Sequence, residues 1–109
     1  MKGTHLGEFE ELVLLLVGVL YPDAYGLALK NEVVKQTGRS AAIGAVHSAL
    51  SRLEEKGFLK SHLGESTSER GGRRKKLYSI TAEGKKAVEY NRSLRNELWN
   101  QIPELAWKN

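Results

Sequence analysis

The chain has 109 residues, of which 40% are hydrophobic and 28% are charged, and it contains no cysteine. This length allows one domain with a single modest core. The absence of thiols excludes disulfides, cysteine nucleophiles and zinc sites with cysteine ligands. The first apolar stretch, residues 12–20, is shorter than the roughly 20 residues that cross a bilayer and follows acidic residues. We therefore expect a soluble, cytoplasmic protein that does not enter a membrane.

The positive charge is concentrated in the middle of the chain. Residues 1–29 carry a net charge of −3, residues 30–95 carry +8 and residues 96–109 carry −1. Five of the 17 Lys and Arg residues lie between Arg70 and Lys76. A basic central segment of this kind favours a nucleic-acid partner over a uniformly basic surface.

The N-terminal third of the chain predicts two helices. Residues 8–20 are good helix formers and are apolar on nearly every side, so this helix is expected either at the centre of the core or under a second chain. A second helix is predicted over residues 24–37, with Asp23 as its N-cap and Gly38 at the position that commonly terminates a helix.

A third helix is predicted over residues 41–56, capped by Ser40 and closed by Gly57. Its apolar residues form one stripe, comprising Ile43, Val46, Leu50 and Leu53. The opposite face is small and polar, so the backbone could settle deep into a DNA major groove while serine or arginine side chains contact bases or phosphates. The DNA contacts expected from this region are Ser40, Ala42, Gly44, Ala45, His47, Ser48, Ser51 and Arg52.

Two short strands are predicted next, over residues 58–63 and 77–80, with a polar loop over residues 64–72. Cations near the tip of such a hairpin can reach a polyanion. Because alternate strand residues face opposite sides, we expect only two or three of four cations to contact phosphate: Arg70, Arg73, Arg74 and Lys75. The element order predicts a mostly α fold with a small β-hairpin (α+β class), a winged helix-turn-helix over residues 1–81 with a dimerisation helix over residues 82–109.

This last helix is predicted to begin after Thr81 and to stop at about residue 102, before Pro103. Its apolar stripe has little domain left to pack on, so it is expected to pair with a second copy of the chain. Such a dimer would present two reading helices to a palindromic site. The predicted interface comprises Phe9, Leu12, Leu16, Leu94, Leu98, Trp99 and Ile102. Trp99 either fills the dimer core or lines a cavity between subunits for a flat aromatic ligand.

Nothing in the sequence indicates an enzyme. The three histidines, His5, His47 and His62, lie on different predicted elements and lack metal-ligand spacing. No phosphate-binding glycine loop or nucleophile motif is present. We expect no catalytic residue, no metal and no cofactor.

Residues 7–14, 24–27, 44–59 and 72–84 resemble the PadR family of bacterial transcriptional regulators, and the last two segments are the most specific. The likeness extends over roughly residues 6–90. Family members commonly have a hydroxyl residue, a tyrosine and a proline where this chain has Ala45, His47 and Ser48. The resemblance implies a homodimeric winged-helix regulator, usually a repressor, with dimer contacts from the first and last helices. Some compact members bind planar hydrophobic molecules between subunits, a role that Trp99 would suit.

Two other functions remain open at this stage. A winged helix can serve as a protein-interaction module without binding DNA, and the apolar last helix would suit that function as well. A nucleoid-type protein would bind DNA without sequence preference. The basic hairpin favours DNA binding over the first alternative, because a protein-binding module has no need for cations there.

Overall fold

The computed structural model describes residues 5–66 and 74–108. They form helices α1 (Glu8–Leu20), α2 (Gly26–Thr37) and α3 (Ile43–Glu55), strands β1 (Leu59–Ser66) and β2 (Arg74–Ile80), helix α4 (Ala82–Gln101) and a short 3-10 helix (Glu104–Lys108). The strands pair antiparallel. The predicted element order and the predicted winged-helix fold are confirmed, and α1 has the predicted bounds. The division at residue 81 stays a prediction.

Helix α1 lies at the centre of the core, which is one of the two positions predicted for it. Its buried side chains pack with those of α2, α3 and the base of the hairpin. The largest fully enclosed side chains are Val13, Leu14, Val17, Leu29, Val33, Val46, Leu50 and Leu53. Two apolar residues on its remaining face, Leu15 and Val19, are exposed.

The predicted start of α2 was wrong by two residues. The helix begins at Gly26, its N-cap is Tyr25, and no side chain caps it. Asp23 is not the cap because the carbonyl oxygen of Ala24 accepts a hydrogen bond of 2.9 Å from the backbone N–H of Tyr78 in β2. This hydrogen bond holds the residues before α2 against strand β2, so they do not join the helix. At the other end, Gly38 terminates the helix as predicted, with a φ of 75° that favours glycine.

The predicted start of α3 was also wrong. Ala42 is the extended N-cap residue, and its carbonyl oxygen accepts from the N–H groups of Ala45 and Val46. Ser40 is therefore not the cap, and the helix runs from Ile43 to Glu55 rather than over residues 41–56. Ile43, placed in the apolar stripe by the sequence, is 40% exposed. Ala49 is buried beside the other three members of the stripe.

Both strands of the hairpin are longer than predicted. The register pairs Leu59 with Ile80 and Leu63 with Lys76, and after an irregularity Ser66 pairs with Arg74. A strand ladder uses backbone groups, which polar residues supply as well as apolar ones. The segment expected to be loop therefore includes three strand residues, 64–66, while residues 67–72 lie outside the described part of the chain.

Helix α4 begins at a well-formed cap, as predicted. The Thr81 hydroxyl accepts from the N–H of Gly84 at 3.0 Å and donates to the carbonyl oxygen of Gly57 at 2.6 Å. The helix ends at Gln101, just before Pro103. Only Gly84 and Ala87 of α4 are buried, and the described chain is 60 Å long in its longest dimension. Within the described ranges, no helix is both long and apolar enough to span a membrane.

Candidate nucleic-acid interface

The outer face of α3 carries small polar side chains. Because Val46, Leu50 and Leu53 point into the core, the opposite side of the helix faces outward. The exposed residues there are Gly44, Ala45, His47, Ser48 and Ser51, and the exposed Ser40 and Ala42 precede the helix. All of these residues have small side chains except His47, and all are accessible to solvent.

The His47 ring lies against the start of α2. A Cβ atom at Gly26 would lie 2.6 Å from Cε1 of that ring, so a larger residue at position 26 would require the exposed imidazole to move. The imidazole therefore packs directly on the first turn of α2. Its packing partner is a residue that the sequence did not associate with it.

The hairpin brings cations beside this surface. A shallow pocket of about 380 Å³ lies between the start of α2, the outer side of α3 and strand β2. None of the described residues that line it is acidic; they are Tyr25, Gly26, His47, Ser51, Arg74, Lys75, Lys76 and Tyr78. Residues distant in sequence thus form one basic, concave surface.

The three described cations of β2 have different surroundings. Arg74 is exposed, and no acidic group lies within 4 Å of it among the described residues. Lys75 places its Nζ 4.2 Å from the centre of the Tyr25 ring, a contact that leaves its charge unneutralised. Lys76 instead lies 3.7 Å from a carboxylate oxygen of Glu54. Arg74 and Lys75 are therefore the cations available to a ligand here; Arg70 and Arg73 lie outside the described residues.

Arg52 is paired within the protein. Its Nε donates to Oε2 of Glu10 in α1 at 2.8 Å, while Lys56 donates to Oε1 of the same carboxylate at 2.6 Å. Partial burial by itself would raise the pKa of Glu10, but the hydrogen bonds and charges of Lys56 and Arg52 outweigh it, so the pKa lies below its ordinary value. The partners are 42 residues apart, which is why no local pattern indicated the pair.

The residues predicted at the dimer interface separate into two groups. Leu16 is 4% exposed and belongs to the chain's own core, against which Phe9 and Leu12 also pack. The α4 residues Leu94, Leu98, Trp99 and Ile102 are all exposed. The exposed large apolar residues of α1 are Leu15 and Val19, neither of which was among the predicted interface residues.

The end of the chain carries an aromatic pair. The rings of Trp99 and Trp107 lie 5.3 Å apart between centroids, tilted by 42°. Both are more than half exposed. Within the described residues, no group of three or more His, Cys, Asp or Glu side chains could hold a metal ion.

Comparison with known proteins assigns this arrangement to a family. A PadR family transcriptional regulator from Eggerthella lenta DSM 2243 is 25% identical, with 94% of this chain and 88% of that one covered and a TM-score of 0.70. A transcriptional regulator from Clostridium thermocellum is 26% identical, with coverages of 87% and 92% and a TM-score of 0.65. A PadR-like regulator from Bacillus cereus strain ATCC 14579, at 19% identity, covers 90% of each chain with a TM-score of 0.70 and shows the fold alone.

No curated protein matches the chain in sequence. The model of the transcriptional regulator PadR-like family, however, matches residues 13–90, which include α2, α3, the hairpin and the start of α4. The family expected from the sequence is therefore confirmed. This chain belongs to the PadR-like family of transcriptional regulators.

Proposed function

We propose that this protein binds double-stranded DNA sequence-specifically as a homodimer and represses transcription. The observation that carries the proposal is the basic surface shared by α3 and β2. Ser51 and His47 of α3 line the same pocket as Arg74 and Lys75, and no acid is found among its lining residues in the described part of the chain. Base readout uses polar side chains such as those of α3, and anchoring on phosphates uses cations such as those of β2, so a DNA-binding surface needs both side by side.

The two parts of this surface would have different tasks. The outer face of α3, with Gly44, Ser48 and Ser51, is small enough for close approach to base edges in the major groove. Arg74 and Lys75 would contact phosphates on the flanking backbone, which adds affinity without reading sequence. Specificity would therefore depend on α3 and overall affinity on the hairpin.

The shape of the chain supports a dimer. The radius of gyration is 16.5 Å, whereas a compact chain of this length has about 13 Å. The difference arises because α4 extends away from the core with an exposed apolar stripe. An apolar groove of about 570 Å³ lies between α1 and the start of α4, lined by Leu15, Val19, Ile80 and Val88 among others. A second copy would cover both surfaces and place two α3 helices on one DNA face.

Relief by a small planar hydrophobic ligand is the regulatory part of the proposal. Trp99, on the helix that would form the dimer contact, and Trp107, in the 3-10 helix after it, offer two exposed aromatic faces. A ligand there alters DNA binding only if it binds two dimer arrangements with different affinity. Titration of planar aromatic compounds against tryptophan fluorescence tests this part; no response across a diverse panel contradicts it.

DNA binding is tested by fluorescence anisotropy at two salt concentrations. One duplex comes from upstream of the protein's own gene, and the other has a scrambled sequence. We expect a preference of about 10³-fold or more that weakens steeply with salt. Equal, salt-sensitive binding to both indicates an architectural role at these sites, and no binding at low salt indicates a protein-interaction module.

A matched pair of variants assigns the binding to the hairpin. Arg74→Gln combined with Lys75→Gln is expected to reduce the slope of log affinity against log salt by about 1.8, that is, by two phosphate contacts. Lys86→Gln combined with Arg92→Gln removes the same charge from exposed positions on α4 and should leave that slope nearly unchanged. Equal slopes for the two double variants would contradict the assignment.

A further inference from the structure

One side of α3 is attached to α1 by a three-residue ion-pair cluster. Glu10 uses both carboxylate oxygens, accepting from Arg52 Nε at 2.8 Å and from Lys56 Nζ at 2.6 Å. Lys56 also donates to the carbonyl oxygen of His5 at 2.7 Å. We name Glu10, Arg52 and Lys56 the α1–α3 clasp.

The clasp differs from the other ion pair that α1 makes near α3. The side chain of Glu10 is only 12% exposed, although that of Arg52 is 51% exposed, whereas Glu8 and its partner Arg39 are 69% and 46% exposed. Water screens the Glu8 pair strongly, so that pair contributes little. Glu10 is largely shielded and has two cationic donors, so its charge is well compensated in place.

The spacing of the two cations decides what the clasp does to α3. Arg52 lies in the last turn of α3 and Lys56, four positions later, is its C-cap residue, so the two side chains leave this end of the helix on the same side. Two contacts along one side oppose rotation of the helix about its axis. The direction in which Ser48 and Ser51 point depends on that rotation.

We propose that Arg52 is a positioning residue and not a DNA contact: it acts through Glu10 to fix the rotation of α3. This inference rests on the proposed function, because it concerns which α3 residues face DNA. It replaces the expectation, drawn from the sequence, that Arg52 bridges to guanine or phosphate. The reading face is then formed by the uncharged residues around Ser48 and Ser51.

The first test measures binding of the full chain to a scrambled duplex over a range of salt concentrations. Arg74→Gln, the positive control, should reduce the salt slope by about 0.9. Arg52→Gln should leave the slope unchanged, because the charge it removes does not replace counterions on DNA. On a duplex that the wild type prefers, the same variant should lose about tenfold in preference, the effect of roughly one misread base pair.

The second test removes the clasp from the other side. Glu10→Gln frees both cations, so affinity for the scrambled duplex should rise by about three- to tenfold with a steeper salt slope. Glu11→Gln is the matched control, since it changes the net charge equally on the same helix but releases Arg95 of α4. Glu11→Gln should raise the affinity for the scrambled duplex clearly less than Glu10→Gln does.

Several results would overturn the proposal. An Arg52→Gln slope reduced as much as that of Arg74→Gln makes Arg52 a phosphate contact. A Glu10→Gln variant that behaves like Glu11→Gln, or that loses affinity with an unchanged slope, makes the clasp merely structural. Circular dichroism monitors folding; if Glu10→Gln fails to fold, the comparison of Arg52→Gln with Arg74→Gln decides alone. Failure of DNA binding itself appears first in the wild type, which binds neither duplex, and the inference then falls with it.

Discussion

The body of the molecule, described over residues 5–66 and 74–88, and its C-terminal arm, residues 92–108, differ in how far they bury their apolar residues. The body encloses sixteen apolar side chains, each at most 8% exposed. Every residue of the arm is exposed, including five large apolar ones: Leu94, Leu98, Trp99, Leu105 and Trp107, with Ile102 as a sixth at 37%. The body thus buries a core of its own, although Leu15 and Val19 of α1 stay exposed, whereas the arm buries none of its apolar residues.

This difference shows how an incompletely packed helix can still form. The arm continues a helix that begins inside the body, at the Thr81 cap and the buried Gly84 and Ala87. The first turn of a helix is the least favourable to form, and in α4 that turn is stabilised by its contacts with the body. Beyond that turn, the exposed Leu94, Leu98 and Ile102 recur every four residues, which is the spacing of a helix face that packs against another helix. We therefore predict that substitutions in the core of the body lower the stability of the fold, whereas substitutions in the arm weaken dimer formation.

The largest expected effect follows truncation of the core. Leu50→Ala should lower the free energy of unfolding by about 2–5 kcal/mol, because Leu50 is fully enclosed and its loss leaves a cavity. The loss should be the same at all protein concentrations. Leu98→Ala should instead reduce the concentration dependence of stability, since it weakens association. Urea unfolding at two protein concentrations a hundredfold apart distinguishes the two, and a concentration-dependent loss for Leu50→Ala would break the comparison.

A charge on the arm should separate the protomers. Leu98→Glu is expected to give a monomer and to weaken DNA binding at least about a hundredfold, or roughly 2.7 kcal/mol, because each half-site is then bound alone. Sedimentation velocity and anisotropy measure the two effects. Asn96→Glu adds the same charge on another side of α4 and should remain dimeric. A dimeric Leu98→Glu would contradict the proposed interface.

The junction of arm and body should be intolerant of a single added methyl. Gly84→Ala should cost about 1–3 kcal/mol, because its Cβ would overlap the carbonyl oxygen of Phe58. That carbonyl is also held by the N–H of Thr81 at 3.1 Å and so cannot easily move away. Gly44→Ala on the open face of α3 meets nothing within 4 Å and should stabilise by about 0.5–1 kcal/mol. Thermal unfolding compares the two; equal effects would contradict this account.

The smallest effect concerns pH and a single carboxylate in the body. At pH 7 Glu10→Gln should cost about 1 kcal/mol of stability through the lost ion pairs. Because folding lowers the pKa of Glu10, its contribution is present above the ordinary pKa and disappears as pH falls through the lowered one. Urea unfolding should show the difference between wild type and variant at pH 7 and its loss below about pH 4. The exposed Glu8→Gln serves as control, and a pH-independent difference for Glu10→Gln would contradict the prediction.

Local signals in the sequence sufficed where an element depends on its own residues. The bounds of α1, the αL glycine at Gly38 and the Thr81 cap were predicted correctly. The starts of α2 and α3 were not, since a hydrogen bond from Tyr78 and a backbone cap at Ala42 decide them. The candidate site shows the same division. Exposure of Ser48 and Ser51 follows from helical periodicity, but the partner of Arg52 lies on another helix.

The sequence by itself determined the element order, the winged-helix fold and the basic character of the hairpin, because periodicity, capping and charge are properties of neighbouring residues. The family followed from the resemblance of four segments to known regulators. Only the tertiary structure decided which cations stay available. In the sequence, Arg52, Lys75 and Lys76 are simply three cations. In the structure, Arg52 pairs with Glu10, Lys75 lies over the ring of Tyr25, and Lys76 lies near Glu54. Charges interact through space over a few ångströms, and chain folding alone sets which partners come within that distance.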